Sequence, residues 1–156
     1  MERANLPRDI QHRCIWLVRG YERCHKEYID QRMSIIHGSG NSLQEGRSRG
    51  RWAGGRTIEA KAAELEALEK QRWVIEMHAL ERARDRIGAG MPEEMREALR
   101  KAIFLNCING KEHPFERLYT IGISRRGFYR YREAFLHDIA NELTQMQRNY
   151  SAEITD

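Results

Sequence analysis

The chain has 156 residues, enough for one compact domain or two small ones. Charged residues make up 32% of it, and no apolar run approaches the roughly 18 residues that a membrane span needs. The formal net charge of +4 favours an anionic partner without naming it. We expect a cytoplasmic protein without a membrane partner, because the N-terminus lacks the apolar core of a signal peptide.

Residues that could carry out catalysis or hold a metal ion are scattered along the chain. Cys14, Cys24 and Cys107 cannot all pair with one another, which fits a reducing compartment. Neither these cysteines nor the six histidines show a zinc-ligand spacing. The chain also lacks the glycine-rich loop that cradles nucleotide phosphates. The sequence therefore predicts no enzyme, no cofactor and no metal site.

The first predicted helix runs from about Arg8 to Ile36. Its apolar residues follow a 4-3-4-3 spacing, which is typical of the seam between coiled-coil-like helices. The residues of this seam are Ile10, Cys14, Leu17, Tyr21, Cys24, Tyr28 and Ile35. Trp16 and Val18 widen the seam, so we expect this helix to pack against more than one neighbour.

Residues 38–56 are rich in glycine and serine and predict a flexible linker. Four arginines lie in this segment against a single acidic residue, Glu45. One interpretation is a solubilising loop. The other is a basic arm that follows phosphates or enters a minor groove and becomes ordered only on DNA. The arginines of this possible DNA-binding arm are Arg47, Arg49, Arg51 and Arg56.

A second long helix is predicted from about Thr57 to Ile87, with Thr57 as its N-cap. Its seam consists of Ile58, Ala62, Leu65, Leu68, Ile75, Ala79 and Ala83, flanked by Trp73, Met77 and Leu80. Two long helices joined by a flexible loop most simply form an antiparallel hairpin. The same seams would also allow pairing between subunits, so the sequence is equally compatible with a homo-oligomer formed through the N-terminal helices.

The last third of the chain predicts three helices. Gly88 and Gly90 end the second helix, and a support helix starts after Pro92 and stops at Asn109-Gly110. A short helix from about Pro114 to Tyr119 leads to a turn at Gly122. We therefore predict an all-α fold with a helical hairpin over residues 1–87. A helix-turn-helix follows over residues 91–150, and the tail is 151–156.

Residues 121–135 have the pattern of the turn and recognition helix of a helix-turn-helix. Ser124 is a preferred N-cap, and an apolar stripe follows at helical spacing. The stripe consists of Ile123, Phe128, Tyr131, Phe135, Ile139, Leu143 and Met146. The opposite face carries Arg125, Arg126, Tyr129 and Arg130. Basic and aromatic tips at a helix N-terminus favour a major groove or a row of phosphates. The simpler alternative is an arginine-rich surface helix.

The first helix of this motif fits the usual pattern less well. Leu118 stands where such motifs usually have a small residue, and Arg117 where an apolar one is usual. Within the recognition helix we predict that Arg125, Arg126 and Arg130 contact base edges, and that Tyr129 touches a thymine methyl group or a phosphate. The side chains predicted to fix the register on the DNA backbone are Ser124, Lys111 and Arg132.

The chain resembles two groups of DNA-binding proteins. Ile123-Ser124-Arg125-Arg126-Gly127-Phe128 is similar to the opening of the recognition helix in region four of bacterial sigma factors. More closely, the chain resembles the RinA-type phage transcriptional regulators. That resemblance rests on residues 17–21, 57–68 and 91–94, and above all on 123–132, where the family pattern is Ser-Arg-x-x-Phe-Tyr-x-x-Arg.

The resemblance implies a phage-encoded activator of late genes that binds promoter DNA and works with host RNA polymerase in a bacterial cell. The helical hairpin is then the expected place for dimerisation or polymerase contact. A competing hypothesis is a small terminase-like packaging or structural protein, which also joins a DNA-binding module to oligomerising helices. A helical adaptor with no nucleic-acid role is a third.

Overall fold

The structure is a computed structural model that describes residues 5–38, 57–110, 118 and 120–155. These residues form helices and contain no strand, which confirms the all-α prediction. The helices are α1 (Arg8–His37), α2 (Ile58–Glu69), α3 (Arg72–Arg86), α4 (Glu93–Asn109) and α5 (Arg125–Thr155). None of the helices in this part of the chain is long and apolar enough to cross a membrane.

The chain divides into two compact units. The first comprises Met1–Gly20 and His78–Asp156, and the second comprises Tyr21–Met77. The division predicted between residues 87 and 91 therefore falls inside the first unit. The start of α1 belongs to that unit because Arg19 Nε donates a hydrogen bond of 3.0 Å to the carbonyl oxygen of Cys107 at the end of α4.

Within the second unit, α1 and α2 form an antiparallel hairpin. Lys61 Nζ donates a 3.0 Å hydrogen bond to the carbonyl oxygen of Ile36, and the Tyr28 hydroxyl donates to Glu69. Arg32 adds an ion pair of 3.6 Å to Glu69. The later residue of α1 thus contacts the earlier residue of α2, so the two helices run antiparallel, as in the predicted hairpin. Four buried side chains form the core of this unit: Tyr28, Leu68, Val74 and Met77.

The prediction of one continuous helix over residues 57–87 is wrong, because the helix is interrupted between α2 and α3. At the break, the Gln71 amide donates to the carbonyl of Leu68, only three residues back, at 3.0 Å. In an unbroken helix Leu68 and Val74 would point about 120° apart. The interruption lets both side chains enter the same core. Tertiary packing, rather than a glycine or proline, therefore ends α2.

The predicted seams include residues that do not pack against a neighbouring helix. Ile58 is 86% exposed and Trp16 is 71% exposed, so neither lies in a core. Cys14, Val18 and Tyr28 on α1 are buried, as predicted. A repeat of apolar residues shows which face of a helix is hydrophobic, but it does not show how far the neighbouring helix extends along that face.

The core of the first unit lies around α5 and α4. Phe104 of α4 and Phe135 of α5 stack with ring centroids 5.6 Å apart. The buried apolar side chains of α4 are Leu99, Ala102, Ile103 and Cys107. Gly110 has a φ of +68° and ends α4 as a left-handed cap, which confirms the predicted stop. Residues 151–155 of the predicted tail belong to α5, which continues to Thr155, and this stretch has no glycine or proline to end the helix.

Candidate nucleic-acid interface

In the turn before α5, two backbone amides donate hydrogen bonds to the same carbonyl oxygen. The amides of Ile121 and Ile123 donate to the carbonyl oxygen of Leu118 at 3.1 and 2.9 Å. Gly122 between them has a φ of +83°, in the left-handed region that favours glycine. Leu118 and Ile123 are both buried, so the large residue at position 118 packs inward. The rest of the predicted short helix, with Arg117, lies outside the described residues.

The start of α5 is capped as predicted. Ser124 Oγ accepts a 3.0 Å hydrogen bond from the Gly127 amide, which satisfies one of the orphan donors of the first turn. A Cβ atom at Gly127 would lie only 3.2 Å from Ser124 Oγ. The glycine therefore leaves room for the capping hydroxyl, and the Ser-Arg-Arg-Gly order has a local structural reason.

One face of α5 is buried in the first unit. Of the predicted stripe, Ile123, Phe128, Phe135, Ile139 and Leu143 are buried, which confirms these assignments. Two further members, Tyr131 and Met146, are only half-buried. A helix buried along this face has a fixed rotation about its own axis. The direction in which its polar side chains point is therefore fixed as well.

The other face of α5 presents a basic surface in its first two turns. Arg125, Arg126 and Arg130 are exposed, as is Ser124, and Tyr129 is half-buried. The ring of Tyr129 meets the buried ring of Phe128 edge-on, with centroids 5.4 Å apart and an interplanar angle of 76°. We call Arg125, Arg126 and Arg130 the arginine surface. It lies at a helix N-terminus, where amide groups and the helix dipole also favour anions.

Arg132 does not belong to the arginine surface. Its side chain is only 14% exposed, and Nη1 lies 3.6 Å from Glu133 Oε1. Burial raises the pKa of the Cys107 thiol, and the charge and hydrogen bond of the Arg132 guanidinium act in the opposite direction. Arg132 thus reaches α4, away from the position expected for a phosphate contact. Its place four residues after Phe128, on the same side of the helix, is the sequence signal for this.

The remaining residues of the predicted interface lie outside the described part of the chain. They are Lys111 near the end of α4 and the arginines of the possible DNA-binding arm, Arg47, Arg49, Arg51 and Arg56. Among the described residues, the structure therefore brings together the predicted contact residues at the start of α5.

A buried carboxylate that the sequence reasoning missed holds the far half of α5. Glu142 is 8% exposed and accepts hydrogen bonds from Arg86 Nη2 at 2.6 Å and from Arg82 Nε at 3.0 Å. Burial alone would raise the pKa of Glu142, but these two arginines outweigh it and lower the pKa. Its position three residues after Ile139, within the apolar stripe, was the available signal, because a buried carboxylate needs a charged partner.

Among the described residues, no three histidine, cysteine, aspartate or glutamate side chains lie close enough together to hold a metal ion. No protein-family model matches the chain, and comparison with curated proteins and with solved structures found no match. The geometry defines an all-α protein with a capped, firmly packed helix that exposes arginines in its first two turns.

Proposed function

We propose that the protein is a sequence-specific DNA-binding regulator of transcription and that the start of α5 is its recognition element. The observation that carries this proposal is the arginine surface at the capped N-terminus of a helix whose opposite face is buried. The narrower role, an activator of phage late genes acting with host RNA polymerase, is supported only by the resemblance to RinA-type regulators.

The arrangement suits a major groove in shape and in chemistry. A major groove admits one α-helix, and recognition helices contact base edges with their N-terminal residues. Arginine binds the O6 and N7 atoms of guanine with two hydrogen bonds, so Arg126 and Arg130 are the main candidates for base contacts. Ser124 and Tyr129 lie beside them and are suited to fix the register on phosphates.

The burial of Phe128 and Phe135 supports a direct readout. A side chain whose backbone is already held in place loses less conformational freedom when it contacts a base, so its binding costs less entropy. The buried stripe, the Ser124 cap and the Glu142 ion pairs together hold α5. We therefore expect the helix to enter the groove without refolding.

The test is a salt-titrated mobility-shift assay on a duplex that the full-length protein selects from a randomised library. Arg126→Ala should lose roughly 1–3 kcal/mol of binding free energy if Arg126 reads a base. Arg148→Ala is the matched control, because Arg148 is also an exposed arginine of α5 but lies six turns further along. If Arg126→Ala and wild type bind with equal affinity, Arg126 is not part of the interface. If the affinity of wild type does not change with salt concentration, the protein makes no phosphate contacts.

A packaging protein of the small-terminase kind is the second candidate, and exposed apolar residues on α1 give it some support. Ile29, Met33 and Ile36 recur at a 4-3 spacing and are 42%, 48% and 40% exposed. Such a stripe favours association between helices. Mass photometry separates the two functions, since rings support packaging and a monomer or dimer supports the regulator.

A further inference from the structure

One acidic side chain lies next to the arginine surface on α5. Glu133 follows Arg126 by seven residues and Arg130 by three, and these spacings place all three on one face of a helix. The Glu133 side chain is 42% exposed. A carboxylate in this position is unfavourable for a surface that only attracts phosphates, so it calls for another explanation.

Glu133 lies beside the largely buried side chain of Arg132. Nη1 of Arg132 lies 3.6 Å from Glu133 Oε1, and the Arg132 side chain is 14% exposed. Arg132 Nε is fully buried and has no hydrogen-bond partner among the described residues. The guanidinium is thus enclosed in the first unit, and its outer end steadies the carboxylate. A carboxylate restrained in this way loses less rotational freedom when it binds.

The energy of this ion pair does not explain its presence. A pair with one partner half-exposed contributes little to folding, about 0–1 kcal/mol. Neighbouring residues on a helix also point in different directions, so the pair is not the usual stabilising arrangement of side chains one turn apart. The pair instead restricts the positions that this hydrogen-bond acceptor can take at the edge of the arginine surface.

On the basis of the proposed function, we propose that Glu133 determines base specificity by accepting a hydrogen bond from the amino group of a cytosine in the major groove. Carboxylates are the side chains that accept from cytosine N4, just as arginines donate to guanine. Along α5, Arg126 and Glu133 are about 10.5 Å apart, so the two side chains can reach different base pairs. One face of the helix then carries donors for guanine and an acceptor for cytosine.

The negative charge of Glu133 also acts against incorrect sites. At a site without the cytosine, the carboxylate faces acceptor groups or phosphates and has no donor to bind. Specificity built from such a penalty lowers binding to random DNA more than binding to the correct site. Removal of the charge should therefore strengthen non-specific binding while the preference at one base pair is lost.

The experiment compares the sites that full-length wild type, Glu133→Gln and Glu153→Gln select from a randomised duplex library. Glu153 is an exposed glutamate near the end of α5, so its variant carries the same change of charge far from the arginine surface. Wild type and Glu153→Gln should both prefer a cytosine at one position, by roughly 5- to 150-fold over other bases. Glu133→Gln should lose this preference or shift it to adenine, the base that a glutamine amide favours.

Two results would overturn the inference, and they have different meanings. If Glu133→Gln melts like wild type and selects the same base at every position, Glu133 is not a specificity determinant, although the proposed function stands. If wild type binds no duplex from the library, the proposed function fails and the role of Glu133 fails with it. Glu133→Ala provides a second variant that cannot form new hydrogen bonds, and it should lose the cytosine preference without gaining one for adenine.

Discussion

Replacement of Phe128 by alanine tests whether the buried face of α5 supports the first unit. Phe128 is 0% exposed and is among the largest fully buried side chains of the described residues. Its removal deletes apolar contacts and leaves a cavity, at a cost of about 3–5 kcal/mol for a buried phenylalanine. That loss is a large part of the roughly 5–15 kcal/mol that stabilises a typical domain.

Thermal and urea unfolding followed by circular dichroism measure this loss. For a chain of this size each kcal/mol shifts the melting temperature by about 2–4 °C, so Phe128→Ala should melt about 6–20 °C below wild type. Tyr150→Ala is the control, because Tyr150 lies on the same helix but is 67% exposed. Its effect should stay within about 0.5 kcal/mol.

A Phe128→Ala variant that melts within about 2 °C of wild type would refute this reasoning, since a shift so small corresponds to about 1 kcal/mol or less. It would mean that the stripe from Phe128 to Leu143 is not the core of the first unit. The rotation of α5, and with it the exposure of Arg126 and Arg130, would then need another basis.

Further predictions concern buried ionisable groups. Burial opposes ionisation of Glu142, but Arg86 and Arg82 outweigh it and lower its pKa below the ordinary value of 4.5. Its stabilising contribution is therefore complete above that value and is lost as the pH falls through the lower folded-state pKa. Glu142→Gln should flatten the acid limb of stability against pH in urea melts, and an unchanged limb would contradict the ion pairs. Burial raises the pKa of Cys14 to about 11, so iodoacetamide should label half-buried Cys24 first at mildly alkaline pH, and faster labelling of Cys14 would contradict its burial.

Local features at the start of α5 could be predicted because each depends on a few neighbouring residues. The Ser124 cap needs only its own hydroxyl and the Gly127 amide, and the turn at Gly122 needs a residue that tolerates positive φ. The stripe led by Phe128 follows from the helical period. For these parts, local chemistry and the final structure agree.

The distant partners of buried charged residues could not be predicted in the same way. Arg132 and Glu142 both lie on the buried side of a helix rich in charged residues, and both contact groups far away in sequence. Arg132 lies against the Cys107 thiol, and Glu142 binds two arginines of α3. A charge enters a core only where a partner compensates for its lost hydration, and pairwise spacing along one helix cannot reveal a partner on another.

The extent of packing was also decided by tertiary structure. Helical period and capping act over a few residues, so the all-α chain, the bounds of α1 and the capped start of α5 follow from the amino-acid sequence. That Leu68 and Val74 share a core across a break, and that Ile58 stays exposed, depends on how the helices pack in space. Burial depends on which surfaces meet in space, and the hydrophobic effect acts on those surfaces whatever their separation along the chain.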